Sequence, residues 1–161
     1  MTDQQTDLPA SVARVAAALQ AAGATGRPQV LPASTRTAAE AAEALGCAVG
    51  AIANSLVFLA DDEPLLVMTS GGHRVDTAAL AARLAVERIR RADPDRVRAA
   101  TGQVIGGVSP VGHPSPLATV VDTALAGYER IWAAAGSPNS VFPTTFDELV
   151  RITNGRPADV A

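Results

Sequence analysis

Apolar positions along the chain change period several times, and the changes divide it into elements. Val12, Val15 and Leu19 recur at three- and four-residue steps, the spacing of one helical face, with Ser11 as expected cap and Gly23 as stop. A loop through Gly26, Pro28 and Pro32 follows. Thr37 and Glu40 stand three apart ahead of an alanine-rich run, the pattern of a capping box, and that helix is expected to end at Leu45-Gly46. Ala51 to Phe58 reads as a strand, Asp61-Asp62-Glu63 as its turn and Pro64 to Ser70 as the returning partner. Gly71-Gly72 breaks the hairpin, and Asp76 is placed to cap a helix carrying Leu80 and Leu84. A short strand at 87–91 and a short helix at 94–100 come next.

The second half is richer in strand signals. Gln103 to Pro110 reads as a strand running into a glycine-broken loop, Leu117 to Asp122 as a second strand and Arg130 to Ala135 as a third. Val141 and Phe142 add a short one, and Thr145 with Glu148 forms another capping box, opening a helix that ends before Gly155. Strands and helices mix without a regular βαβ rhythm. The expected class is α/β, a single compact domain with a mixed, curved, barrel-like β-sheet surrounded by helices.

Composition narrows the chemistry. The 161 residues include 34 alanines and only five aromatics, so the core must rest on Leu, Val and Ile over closely packed helices. All 13 basic residues are arginine; with no lysine, Schiff-base chemistry, a pyridoxal phosphate anchor and a P-loop lysine are excluded. Net charge is −3, which does not suit a general nucleic-acid binder. Yet Arg83, Arg88, Arg90, Arg91, Arg96 and Arg98 stand against three acids in one window, a local net of +3. That window reads either as a solvated surface with local ion pairs or as the rim of an anion site. Cys47 is alone, so no internal disulfide forms, and two histidines forty positions apart give no metal spacing. No apolar run approaches the ~18 residues of a membrane span. The expected setting is the cytoplasm, with no cofactor, no metal and no membrane partner.

The most informative stretch is Gly106-Gly-Val-Ser-Pro-Val-Gly-His-Pro114. Paired glycines permit positive φ and close backbone approach, and two prolines stiffen the path. Such a loop reads either as a β-bulge with a stiff turn or as a cradle aiming N–H groups at a carbonyl oxygen. Ser109, His113 and Asp122 do not form a convincing hydrolytic triad, because Ser109 lies outside a G-x-S-x-G elbow. Asn54 and Ser55 interrupt an apolar strand, either on a wet face or lining a pocket. His73 beside Gly71-Gly72 is a turn residue or a site residue, and Cys47 an apolar filler.

Together, Thr37 to Gly46, Ile52 to Phe58, Gly102 to Gly112, Val121-Asp122, Leu149 to Thr153 and Ala158 to Val160 resemble the YbaK/EbsC family of aminoacyl-tRNA deacylases. These are freestanding relatives of the editing domain inserted in bacterial prolyl-tRNA synthetases. The resemblance covers about 35–160, leaving 1–34 as an N-terminal helix and loop of the same domain. It implies hydrolysis of the ester joining a small wrong amino acid to tRNA, typically tRNA(Pro), with mischarged tRNA as substrate and prolyl-tRNA synthetase as a suggested partner. Gly106 and Pro110 match the family's G-x-x-x-P loop. An aminoacyl ester is already activated, so oriented water and a stabilised oxyanion suffice without a covalent nucleophile. On this reading Asn54, Gly106, Gly107 and Ser109 are catalytic. Ser55, Ser70, Gly71, His73, Val108, Pro110, Gly112 and His113 bind substrate. The family strand usually carries lysine where this chain has Asn54. The alternative is therefore a non-catalytic member that binds tRNA or an aminoacyl ligand.

Overall fold

The computed structural model describes residues 8–32, 35 and 37–161; the rest of the expected N-terminal segment lies outside the described residues. Helix α1 (Ala10–Ala21) buries Val12, Val15 and Leu19 on one face, as their spacing requires. Its cap is a correction. Pro9, not Ser11, occupies the N-cap with no side-chain bond, and Ala13 N–H closes the first turn onto the Pro9 carbonyl at 2.9 Å. The fixed φ of proline suits this entry, so Ser11 falls inside the helix. Gly23, at φ +78, ends the run.

Helix α2 (Ala38–Leu45) opens with the complete capping box. Glu40 N–H donates to Thr37 Oγ1 at 3.1 Å and Thr37 N–H to Glu40 Oε1 at 3.0 Å. Strand β1 (Gln29–Val30) precedes it, and a 3₁₀ turn at Val49–Ala51 leads into β2 (Ile52–Ala60). The hairpin to β3 (Glu63–Ser70) turns on Asp61 and Asp62, whose φ of 48° and 69° fit a type I′ turn. Asp76 caps α3 (Thr77–Leu84) by accepting from Ala79 N–H at 3.0 Å. Strand β4 (Ile89–Arg91), helix α4 (Pro94–Thr101) and strand β5 (Ala118–Asp122) follow. The chain finishes with β6 (Ile131–Ala134), β7 (Ser140–Thr144), α5 (Phe146–Thr153) and β8 (Arg156–Ala158).

The mixed α/β class is borne out. Strands pair in the order β1-β7-β6-β2-β3-β5-β8, with β4 branching from β2, and parallel and antiparallel ladders are mixed. The branch decides where a site can form. One edge of β2 pairs with β3 from Ala53 to Ala60. On the other edge β6 takes only Ile52 and Ala53, and β4 takes only Phe58 to Ala60. Between them Asn54 to Leu56 pair with no strand on that side, and the sheet splits.

Two expectations need correction. Gln103 to Pro110 forms no strand: Gly102 leaves α4 in the left-handed region at φ 71, and the chain coils around the Gln103 side chain. At α5 the box is one-sided. Thr145 Oγ1 accepts Glu148 N–H at 3.1 Å, while the Glu148 carboxylate turns to Thr144 Oγ1 at 2.7 Å and Thr25 N–H at 3.1 Å, tying the helix to the end of α1.

The core divides by strand parity. Ala53, Val57, Leu59, Met68 and Val121 face one cluster with α1 and α5. Phe58, Leu65, Val67 and Val120 face another, beneath α3, and Ile52 and Trp132 a third, beneath α2.

Candidate functional site

Gln103 organises the glycine loop. Its side chain is buried; Oε1 accepts Ser109 N–H at 2.6 Å and Nε2 donates to the Val111 carbonyl at 3.3 Å. A β-turn closes from Gly107 N–H to the Val104 carbonyl at 3.0 Å, with Gly106 at φ +90 in the position where such a turn needs glycine. Gly107 is required for a different reason. A Cβ there would stand 2.7 Å from the Ser137 backbone, just beyond β6.

The loop then spends its polar groups on itself. Ser109 is fully buried, its hydroxyl accepts Val111 N–H at 3.2 Å, and its carbonyl accepts His113 Nε2–H at 2.8 Å. Ser109 thereby holds the loop together, and its N–H and that of Gly107 are already taken. Val108 and Pro110 bury their side chains and cannot offer them to a ligand. The N–H groups of Gly106 and Val108 have no partner among the described residues. Gly112, at φ +83, packs by Ala18 and Val15. Burial disfavours the charged form of His113 and outweighs the Ser109 carbonyl, so its pKa lies below the ordinary imidazole value.

Asn54 stands elsewhere. It is exposed on the parity of Ile52 and Phe58, opposite the face of Ala53 and Val57 on which Val108 and Val111 pack. β6 pairs with β2 only at Ile52 and Ala53 and then turns back into β7, and Gly107 packs on Ser137 in that turn. The loop and Asn54 therefore stand on opposite faces of the sheet. Ser55 points inward, donating to Met68 Sδ at 3.2 Å.

Asn54 belongs instead to a polar row. It lies opposite Thr69 on β3, and Thr69 Oγ1 donates to Asp122 Oδ2 on β5 at 3.4 Å. Three strands place the row's ends about 10 Å apart. Asp122 is fully buried and also accepts Ser70 N–H at 3.0 Å, Ala124 N–H at 2.9 Å and His73 Nδ1 at 2.9 Å. Ser70 Oγ is committed to the Gly50 carbonyl at 2.7 Å, and Gly71 N–H to the Ile52 carbonyl at 2.7 Å. The structure thus gathers Ser70, Gly71 and His73 near Asn54, and Gly106 to His113 separately. Asp122 and Gln103, the hubs of the two groups, are absent from the site expected on sequence. The signal for each was a polar residue closing or entering an apolar run.

The arginine window is largely a solvated surface. Arg90 pairs with Asp62 at 2.8 Å, Arg83 with Asp159 at 3.7 Å, Arg96 reaches the Asp62 carbonyl at 2.9 Å, and Arg91 lies 5.9 Å over Phe58. Among the described residues the Arg74, Arg88 and Arg98 side chains make no hydrogen bond or salt bridge, and Arg88 acts on Asp62 through its charge alone. A cavity of about 450 Å³ lined by Ala60, Leu65, Leu84 and Val120 lies at the hairpin-turn end, away from Asn54, His73 and the loop. No helix among the described residues is long and apolar enough to cross a membrane.

Comparison with known proteins agrees on one family. Residues 32–152 match the model of the aminoacyl-tRNA editing domain. YwhH of Bacillus subtilis (strain 168), a protein of uncharacterised function, is 31% identical over 117 residues, 72% of this chain and 74% of that one. A proline–tRNA ligase of Nitratidesulfovibrio vulgaris (strain DP4) is 27% identical over 136 residues, and the match spans 78% of this chain but 24% of that enzyme. A crystal structure described as a candidate trans-editing enzyme for prolyl tRNA synthetase superposes with a TM-score of 0.89 and 42% identity, over 96% of this chain and 98% of that one.

Proposed function

The chain belongs to the aminoacyl-tRNA editing domain family, and on that premise we propose that it is a trans-editing hydrolase that deacylates tRNA, of the tRNA(Pro) type, mischarged with a small amino acid. The observation that carries this reading is the likeness, at 42% identity over 96% of this chain, to a candidate trans-editing enzyme for prolyl tRNA synthetase. The glycine loop supports it. It carries two backbone N–H groups with no partner among the described residues, those of Gly106 and Val108, on a frame fixed by Gln103. Rigid donors of this kind stabilise the oxyanion that forms when water adds to the ester carbonyl. Asn54 orients the aminoacyl group or the terminal ribose from the other face of the sheet. Selection of small residues then rests on the volume left at the split, a sieve that excludes the larger correct residue. Arg74, Arg88 and Arg98, whose side chains make no hydrogen bond or salt bridge among the described residues, attract the tRNA backbone.

The test is a panel of tRNA(Pro) charged with Ala, Ser, Thr or Cys and incubated with excess protein. Cleavage of at least one member is expected; a panel left intact removes the hydrolase reading. Asn54, standing where relatives usually carry lysine, favours a second reading, a non-catalytic binder. Saturable tRNA binding without turnover on the same panel would select it.

A further inference from the structure

The cluster around Asp122 holds one atom that its fold does not consume. Two backbone N–H groups and a hydroxyl already point at this buried carboxylate, so it accepts from His73 as well, and Nδ1 of that ring carries the proton. In the neutral imidazole the lone pair is then on Nε2. The His73 side chain is 34% exposed, and Nε2 meets no described residue.

The ring is also held still. His73 N–H donates to the Ser70 carbonyl at 2.9 Å, and Gly72 N–H to Ser70 Oγ at 3.4 Å. A Cβ on Gly71 would stand 2.5 Å from the Val49 carbonyl oxygen, so the turn lies flat against the start of β2. The bond to Asp122 uses Nδ1 alone, and an amide N–H could make the same bond. A buried aspartate fixing the tautomer of a histidine whose second nitrogen opens to solvent is the arrangement of a general base. His113 also donates through one nitrogen, but to the Ser109 carbonyl within the loop and not to a carboxylate.

We propose that His73 is the general base of the deacylation, with Asp122 as its positioning residue; this rests on the hydrolase reading above. Water adds its oxygen to the ester carbonyl carbon while one of its protons passes to His73 Nε2. The tetrahedral intermediate collapses by breaking the bond from that carbon to the ribose oxygen. The imidazolium returns the proton to the departing ribose oxygen, leaving a free amino acid, an intact tRNA terminus and a neutral ring.

His73→Asn isolates the chemistry, because the asparagine amide nitrogen falls where Nδ1 stands, keeping the bond to Asp122 while removing Nε2. With the panel member that the wild type cleaves fastest, the single-turnover rate of this variant is expected to fall roughly 100-fold or more. Its melting temperature and its affinity for uncharged tRNA(Pro) should match the wild type. Added imidazole should restore part of the rate to His73→Ala, an effect that loss of a merely structural ring would not show. If His73→Asn cleaves at the wild-type rate, the base is overturned and the hydrolase reading stands. A wild type that leaves the whole panel intact overturns both.

Discussion

The glycine loop and the Asn54-to-Asp122 row are built on opposite principles. In the loop, residues 103–113, nearly every polar side chain is turned inward: Gln103 holds Ser109 and Val111, Ser109 holds Val111, and His113 holds Ser109. What remains to a ligand is backbone. In the row, the buried members Thr69 and Asp122 satisfy each other, and the ends present side-chain atoms, the Asn54 amide and His73 Nε2. A frame that offers main-chain dipoles must be rigid, and a frame that offers side chains needs only a firm floor. Loop substitutions should therefore lower stability and rate together, whereas substitutions at the ends of the row should lower rate alone.

The largest effect separates the two adjacent glycines. Gly107→Ala drives a methyl into the Ser137 backbone, which has no side chain to swing away, and should cost about 2–3 kcal/mol. For a chain of this size that lowers the melting temperature by roughly 4–12 °C. Gly106→Ala meets open space and bears only the strain of its φ of +90, about 1 kcal/mol. Equal losses in thermal denaturation would show that close approach to Ser137 is not what the loop requires.

The next effect lies across the edge. Asn54 is exposed and makes no bond among the described residues, so Asn54→Ala should leave the melting temperature within the ±0.5 kcal/mol band of surface changes. Its deacylation rate should nonetheless fall more than tenfold, or ~1.4 kcal/mol of transition-state stabilisation. Unchanged kinetics would remove Asn54 from the site and with it the idea that the loop and the row act on one substrate.

Much of this contrast was legible in the sequence, and what escaped has a common cause. Caps and turns are local, so Thr37 with Glu40, Asp76 and the Asp61-Asp62 turn could be read directly. Glu148 could not, because its carboxylate is taken by Thr25, 123 positions away. Gln103 to Pro110 carried strand-like residues, yet one buried glutamine bonding six and eight residues ahead coils the segment instead. The role of Asp122 depends on His73, 49 positions earlier, brought over by the parallel pairing of β3 with β5. Pairings over such distances leave no periodic trace, and the same holds for the two partners that divide one edge of β2.

The smallest effect tests whether the loop's inward bonds are structural. The pKa of His113 is depressed in the folded chain, chiefly by burial, so the unfolded chain binds its proton more readily. Stability from the neutral ring is complete above the ordinary value of 6.5 and is lost as pH falls from there toward the folded value. His113→Gln keeps an amide donor within reach of the Ser109 carbonyl but cannot take up a proton. Denaturant midpoints measured from pH 7.5 to 5 should therefore fall more steeply for the wild type than for this variant, while the two nearly coincide at the upper end. Parallel curves would mean that His113 titrates alike in both states and that the loop does not hold it as a neutral donor. Because the row at Asn54 and His73 is untouched, the relative rates of cleavage of the charged tRNAs should survive the change. A shift in which amino acid is removed would instead show that the loop and the row are mechanically coupled.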